Sequence, residues 1–160
     1  MKQKRILFLG GAYAQIPIIK EAKNRGWYII TCDYLPDNPG HKLADEYYNI
    51  STTDTEKVLK LAKKLKPNFV VAYASDPAAP VAAYVSEKLG LPGNSYESVK
   101  LLSEKDLFRE FLKKNGFNTP KIGFGVFGCG QKGNTFYTGQ FFSVCFGYSP
   151  TFFNVLVVMF

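Results

Sequence analysis

The chain has one histidine and three cysteines, and neither set supports the chemistry it usually serves. Cys32, Cys129 and Cys145 show no Cys-x-x-Cys spacing and cannot all pair, which argues against a disulfide scaffold and for a reducing compartment. No ligand spacing joins them to His41, so a structural zinc site is not expected. The same lone histidine sits in a Pro- and Gly-rich loop and leaves Ser75 without a marked base, which argues against a hydrolase triad. Asp37, Asp45 and Glu46 read as solvated loop charges rather than as metal ligands. Although 20 basic residues outnumber 13 acidic ones, giving a net charge of +7, the lysines and arginines never form a run. Weak attraction to anions is expected, with no nucleic-acid surface. Near the N-terminus only Ile6 to Leu9 is apolar before Gly10, too short for a secretory segment, and the expected setting is cytoplasmic.

Charge is also unevenly spread. All 13 acidic residues and 19 of the 20 basic ones lie in residues 1–121, and Lys132 is the one charged side chain after that. The last 39 residues nevertheless hold 11 of the 25 aromatics and seven of the 14 glycines. A soluble domain carries roughly a quarter charged residues throughout, so the two regions answer to different constraints. The expected division is a domain over 1–120 and an uncharged, aromatic-rich tail over 121–160. A membrane anchor at 141–160 is disfavoured by Gly147, Ser149, Pro150, Thr151 and Asn154, whereas an added β-hairpin suits the composition better. Phe152 to Phe160 has the β-rich, uncharged character that drives self-association when exposed.

The first region alternates strand and helix. Arg5–Leu9 is a short apolar run ended by Gly10-Gly11, as for a strand buried on both faces of a parallel sheet. Pro17 suits a first helical turn, Ile18, Ile19 and Ala22 fall at helical spacing, and Gly26 marks the end. Strands are expected at 27–32, 47–50 and 69–73, with a very short one at 91–93. Thr53 and Glu56 fit a capping box for a helix whose apolar face is Val58, Leu59, Ala62 and Leu65. Asp76 reads as the cap of a helix with Pro77 in its first turn and Val81, Ala82 and Val85 inward. Ser103 reads as the cap of a last helix through Leu107, Phe108, Phe111 and Leu112. Strands separated by helices imply right-handed βαβ units and an α/β fold with an open, doubly wound parallel sheet.

In such a sheet ligands bind beyond the carboxyl ends of the strands. The loops to inspect are 10–15, 33–40 and 73–77. Gly10-Gly11 allows close backbone approach and directs helix N–H groups toward an anion, but Ala12 and Gln15 stand where a dinucleotide fingerprint needs glycine. Asp33, 23 residues past Gly10, is the one feature favouring a rival reading, a stand-alone dinucleotide or small-ligand module.

With these residues placed, residues 4–120 resemble the N-terminal domain of the ATP-grasp superfamily, similar to that of carbamoyl-phosphate synthase large subunits and related carboxylate–amine ligases. The resemblance rests on order and spacing: Gly10-Gly11, Gln15, Asp33, Pro39, Ala44-Asp45, Leu89-Gly-Leu-Pro-Gly93, the Ser103–Phe108 segment, and Asn115 to Pro120. It implies ATP-dependent activation of a carboxylate through an acyl phosphate, with Mg2+ on the nucleotide phosphates. It further implies that Lys105 contacts ATP, and that Gly11, Ala12, Gln15, Ser75 and Asp76 face a small-molecule carboxylate substrate. A homodimer or a separate ATP-grasp half would be the partner. Residues 122–160 contain no Asp, Glu, Arg or His, so they cannot supply the Mg2+ site of that family. The expected account is a truncated or frame-shifted member, inactive alone.

Overall fold

The computed structural model describes residues 3–119, so the expectations for the tail, including Cys129 and Cys145, lie outside the described residues. Four strands form one sheet: β1 (Arg5–Leu9), β2 (Tyr28–Asp33), β3 (Glu46–Asn49) and β4 (Phe69–Val71). All pairs are parallel and the order is β3-β2-β1-β4. Leu9 lies opposite Cys32, and Phe8 opposite Val71. The chain therefore winds outward from β1 in one direction and then returns to its other side, which puts the reversal in strand order between β1 and β4.

Period-2 alternation along β1 divides the core. Ile6 and Phe8 face α1 (Ile16–Asn24), whose Ile19 and Ala22 are buried against them with Ile29. Leu7 and Leu9 face the opposite side and meet α2 (Thr55–Leu65) and α3 (Ala79–Lys88). Helices thus cover both faces, as a continuous apolar strand requires. The expected stripe of α2, Val58, Leu59, Ala62 and Leu65, is buried throughout. At about 1.5–3 kcal/mol per fully buried Val or Leu, it is the main tie between α2 and the sheet.

Helix ends differ from expectation in instructive ways. Asp54, not Thr53, caps α2, its carboxylate accepting the Lys57 N–H at 3.1 Å. The Ser51–Thr53 hydroxyl pair occupies the residue that the capping box would have used. Asp76 does not cap α3 with its side chain. The chain makes a turn over 76–78, so the helix begins at Ala79 and Pro80, rather than Pro77, fills its first turn. No strand forms at 91–93, where Leu91 N–H instead returns to Ser86 O at 2.9 Å. Ser95 caps a helix the sequence reading did not separate, α4 (Tyr96–Ser103), aided by Glu87, which accepts the Tyr96 N–H at 2.9 Å. Ser103 closes α4, donating to Val99 O, and α5 (Lys105–Lys114) follows with Glu104 between them. α5 packs on α4. None of its residues is buried: Phe108 and Leu112 are half-buried, and Leu107 and Phe111 are exposed. No helix among the described residues is long and apolar enough to cross a membrane.

Candidate functional site

The carboxyl ends of β2, β1 and β4 lie side by side, and the loops leaving them are fastened to one another. Gly10 takes φ +123°, open in practice to glycine alone, and its N–H donates to Cys32 O at 2.8 Å. The Gly11 N–H donates to Asp33 Oδ2 at 3.0 Å, while Asp33 Oδ1 accepts the Leu35 N–H at 3.3 Å. The N–H groups of both glycines are therefore already spent within the fold. Without glycines at positions 12 and 15, the chain makes a single 3-10 turn over Tyr13–Gln15 before α1 starts. Asp33, buried under this turn, holds the loops of β1 and β2 together. A nucleotide ribose would have to displace Gly11 to reach the face of the carboxylate turned to it, which removes the main support for a dinucleotide module.

His41 fastens the β2 loop from within. It is buried on a 3-10 segment, Pro39–Leu43, with Nδ1 2.7 Å from Thr31 Oγ1 and Nε2 3.0 Å from Leu35 O. A carbonyl only accepts, so Nε2 carries the proton and both ring nitrogens are engaged. The ring also stacks on Tyr47, centroids 4.9 Å apart. The lone histidine is thus a strut and no catalytic base. Beside it, the Gly40 N–H donates to Gly11 O at 2.7 Å, so close that a Cβ on Gly40 would stand 2.6 Å from that oxygen.

Gln15 joins β1 to β4 across the reversal in strand order. Its side chain, 4% exposed, donates from Nε2 to Tyr73 O at 2.7 Å and to Ala74 O at 3.4 Å. Two carbonyls on that side fix the amide orientation, because the flipped amide would set oxygen against oxygen. Oε1 then points back over Gly10, 3.3 Å from where a Cβ would stand there, and has no hydrogen-bond partner. Ala74 is held at φ +50°, a left-handed conformation rare for alanine. Next to it Ser75 is half-buried and Asp76 exposed, and among the described residues neither side chain has a hydrogen-bond partner. Tyr13, Tyr34 and Tyr73, one on each of the three loops, are 80%, 65% and 40% exposed.

The structure thus gathers Gly11, Ala12, Gln15, Ser75 and Asp76 at one end of the sheet. Lys105 is the exposed first residue of α5, with no ion pair among the described residues and no hydrogen bond to these loops. No group of three or more His, Cys, Asp or Glu could hold a metal among the described residues. Cys32 is buried behind the turn. Desolvation first, and then the neighbouring Asp33 charge, pushes its thiol up to about 12, so it is no nucleophile.

At the opposite end of the strands Glu46 accepts from Tyr28 Oη at 2.7 Å and Tyr48 Oη at 2.8 Å, with Arg5 Nη2 at 3.5 Å. These hydroxyls, and then Arg5, hold its carboxyl below the usual range, while the hydrogen bond to Glu46 and then burial raise both tyrosines. Asp45 accepts the Ile29 N–H at 2.7 Å. Both acids therefore fasten the sheet rather than serve as free loop charges.

No family model matches the chain. Formate-dependent phosphoribosylglycinamide formyltransferase of Prochlorococcus marinus (strain MIT 9515) is 35% identical over 69 residues, which is 43% of this chain and 18% of that protein. The carbamoyl phosphate synthase large chain of Thermotoga petrophila is 33% identical over 70 residues, 42% of this chain and 6% of that one. Among solved structures, phosphoribosylglycinamide synthetase from Anaerococcus prevotii superposes with a TM-score of 0.68 at 26% identity, covering 74% of this chain and 30% of that one. The match thus spans under a third of each of these proteins. They are ATP-grasp ligases matched over their N-terminal part, and in sequence and fold this chain resembles the N-terminal domain of that superfamily.

Proposed function

We propose that this ATP-grasp-like domain, residues 1–120, forms the substrate-side wall of an ATP-dependent carboxylate–amine ligase. In such a reaction ATP phosphorylates a carboxylate and an amine displaces the phosphate. The observation that carries the reading is the fastened set of loops at the reversal in strand order, on a fold shared with ligases that begin the same way. Gly11 and Ala12 shape the floor, Gln15 ties it to the β4 turn, and Ser75 and Asp76 present the free polar groups. Lys105, a cation in the first turn of α5, is unfavourable for the helix dipole and gains from a nearby phosphate, so it is the residue proposed to meet ATP.

Residues 121–160 form a separate, nearly uncharged region in this reading. They hold none of the acids that Mg2+ would need, and only Lys121 and Lys132 where a transferring phosphoryl group needs the metal and several cations at once. These 160 residues are therefore proposed to bind ATP weakly and not to turn it over, in the cytoplasm, with the remaining ligands coming from a second copy or from a separate ATP-grasp half.

Titration of the whole chain with ATP and Mg2+ tests this. Millimolar binding, weakened about threefold to tenfold by Lys105→Ala, is expected, with no phosphate released when carboxylates and amines are added. An unchanged affinity in Lys105→Ala would remove the role of Lys105. Turnover of ATP by the chain alone would overturn the claim that it is incomplete.

A further inference from the structure

The three loops at the reversal in strand order differ in charge from the rest of the molecule. Residues 10–16, 33–40 and 72–78 contain three aspartates and not one lysine or arginine, in a chain whose net charge is +7. The nearest titratable base, His41, is buried with both ring nitrogens engaged. The Gly10 and Gly11 N–H groups are spent on Cys32 O and Asp33. A phosphate placed here would meet no lysine or arginine of these loops.

What the side chains of these loops do offer is acceptors. Gln15 Oε1 is buried, lies between the ends of β1 and β4, and lacks a donor. A buried amide oxygen left unpaired is destabilising, so this end of the sheet favours a donor over a further acceptor. Beyond it stand the Asp76 carboxylate and Ser75 hydroxyl, both without partners among the described residues. Around the mouth are the exposed rings of Tyr13, Tyr34 and Tyr73, faces that attract a cation or stack on an aromatic ring.

We infer that this wall, which the resemblance assigns to a carboxylate, instead binds an amine-bearing, cationic ligand with an aromatic or other planar apolar body. Its N–H groups meet the acceptors left over at these loops, its charge is matched by Asp76, and its body lies among the tyrosines. This rests on the reading of these loops as a substrate wall.

Tyramine is the probe, titrated into the whole chain without nucleotide and followed by calorimetry. Its counterparts are 3-(4-hydroxyphenyl)propionate, which keeps the ring and replaces the amine by a carboxylate, and ribose 5-phosphate. Saturable tyramine binding is expected, at least about tenfold tighter than either counterpart. Asp76→Asn and Tyr13→Ala, both at exposed positions, should each weaken it about threefold to tenfold while leaving thermal unfolding unchanged. Ribose 5-phosphate binding as tightly as tyramine, equal affinity for amine and acid, no tyramine binding, or no effect of Asp76→Asn would each overturn the inference. ATP titration of the same samples separates the two claims. A Lys105-dependent ATP affinity beside a failed tyramine experiment leaves the ligase reading in place, and the converse result leaves only the amine site.

Discussion

Gly40→Ala should be strongly destabilising, and the reason is steric rather than conformational. Gly40 is not among the glycines at positive φ, so alanine fits its backbone angles. The added Cβ would stand 2.6 Å from Gly11 O and 3.0 Å from Gly11 C and Cα, all backbone atoms of the buried turn that closes β1. Neither side can move cheaply, because Gly11 is held by Asp33 and Gly40 is followed by buried His41. Overpacking costs about 1–3 kcal/mol, and lengthening the Gly40–Gly11 hydrogen bond adds about 0.5–1.5 kcal/mol. The loss of unfolded-chain freedom returns about 0.4–1 kcal/mol. The net is a destabilisation of about 2–3 kcal/mol, or about 1–1.5 M in urea midpoint for m near 2 kcal/mol/M. Trp27, the one tryptophan, stacks on Phe69 with centroids 5.5 Å apart at the other end of the sheet and reports unfolding without touching the mutated loop. Gly26→Ala is the control: φ is +73° and nothing lies within 4 Å, so it bears only left-handed strain, about 1–2 kcal/mol. A Gly40→Ala midpoint within 0.2 M of wild type (about 0.4 kcal/mol at that slope), or above that of Gly26→Ala, would refute the reasoning.

Two further outcomes concern the ends of the strands. Glu46 has its carboxyl lowered by the Tyr28 and Tyr48 hydroxyls, so its stabilisation is present above the unfolded carboxyl value, about 4.3, and is lost as pH falls through the lower folded value. Wild type should therefore exceed Glu46→Gln by about 0.5–1 kcal/mol from pH 7 to pH 5 and converge with it below about pH 4, a modest gap because the Glu46 and Arg5 side chains are 32% and 37% exposed; melting temperatures across that range should show the convergence, and a gap independent of pH would contradict it. Cys32, buried with its thiol pushed up to about 12, should resist maleimide at pH 8 in a Cys129→Ser/Cys145→Ser background and react fully in denaturant, whereas labelling of the native chain within minutes would show the strand end to be open.

The sheet was legible because its signals are local and redundant. Arg5–Leu9 and Phe69–Val71 are short apolar runs flanked by turns, and the stripe of α2 repeats at helical spacing, so pattern alone orders them. The α4–α5 region was not legible, because Ser95 and Ser103 are equally good caps in isolation. Only the Glu87 carboxylate at the Tyr96 N–H, nine residues away in sequence, favours the first of them. The site loops could be located from the fold but their wiring could not. Asp33 looks the same in sequence whether it faces a ribose or the Gly11 N–H, and Gly40 looks like one more turn glycine although its role is to let another strand's loop approach. Such partners lie 22 to 58 residues apart, beyond the reach of any local pattern.

That wiring bears on how selectivity can arise. Loops at the carboxyl end of a doubly wound sheet are free in principle to close over a ligand and gain affinity by ordering. Here Gly10 is bonded to Cys32, Gly11 to Asp33, Gly40 to Gly11, His41 to Thr31, and Gln15 to Tyr73. The ordering cost has thus been met in folding, and little is left for binding to recover by rigidifying these segments. Discrimination must then come from the groups that the wiring leaves over. A site that had kept its glycine N–H groups free could accept an anion whatever its tyrosines did. One that has used them internally, while leaving Gln15 Oε1, Ser75 and Asp76 unpaired, favours a ligand that brings donors.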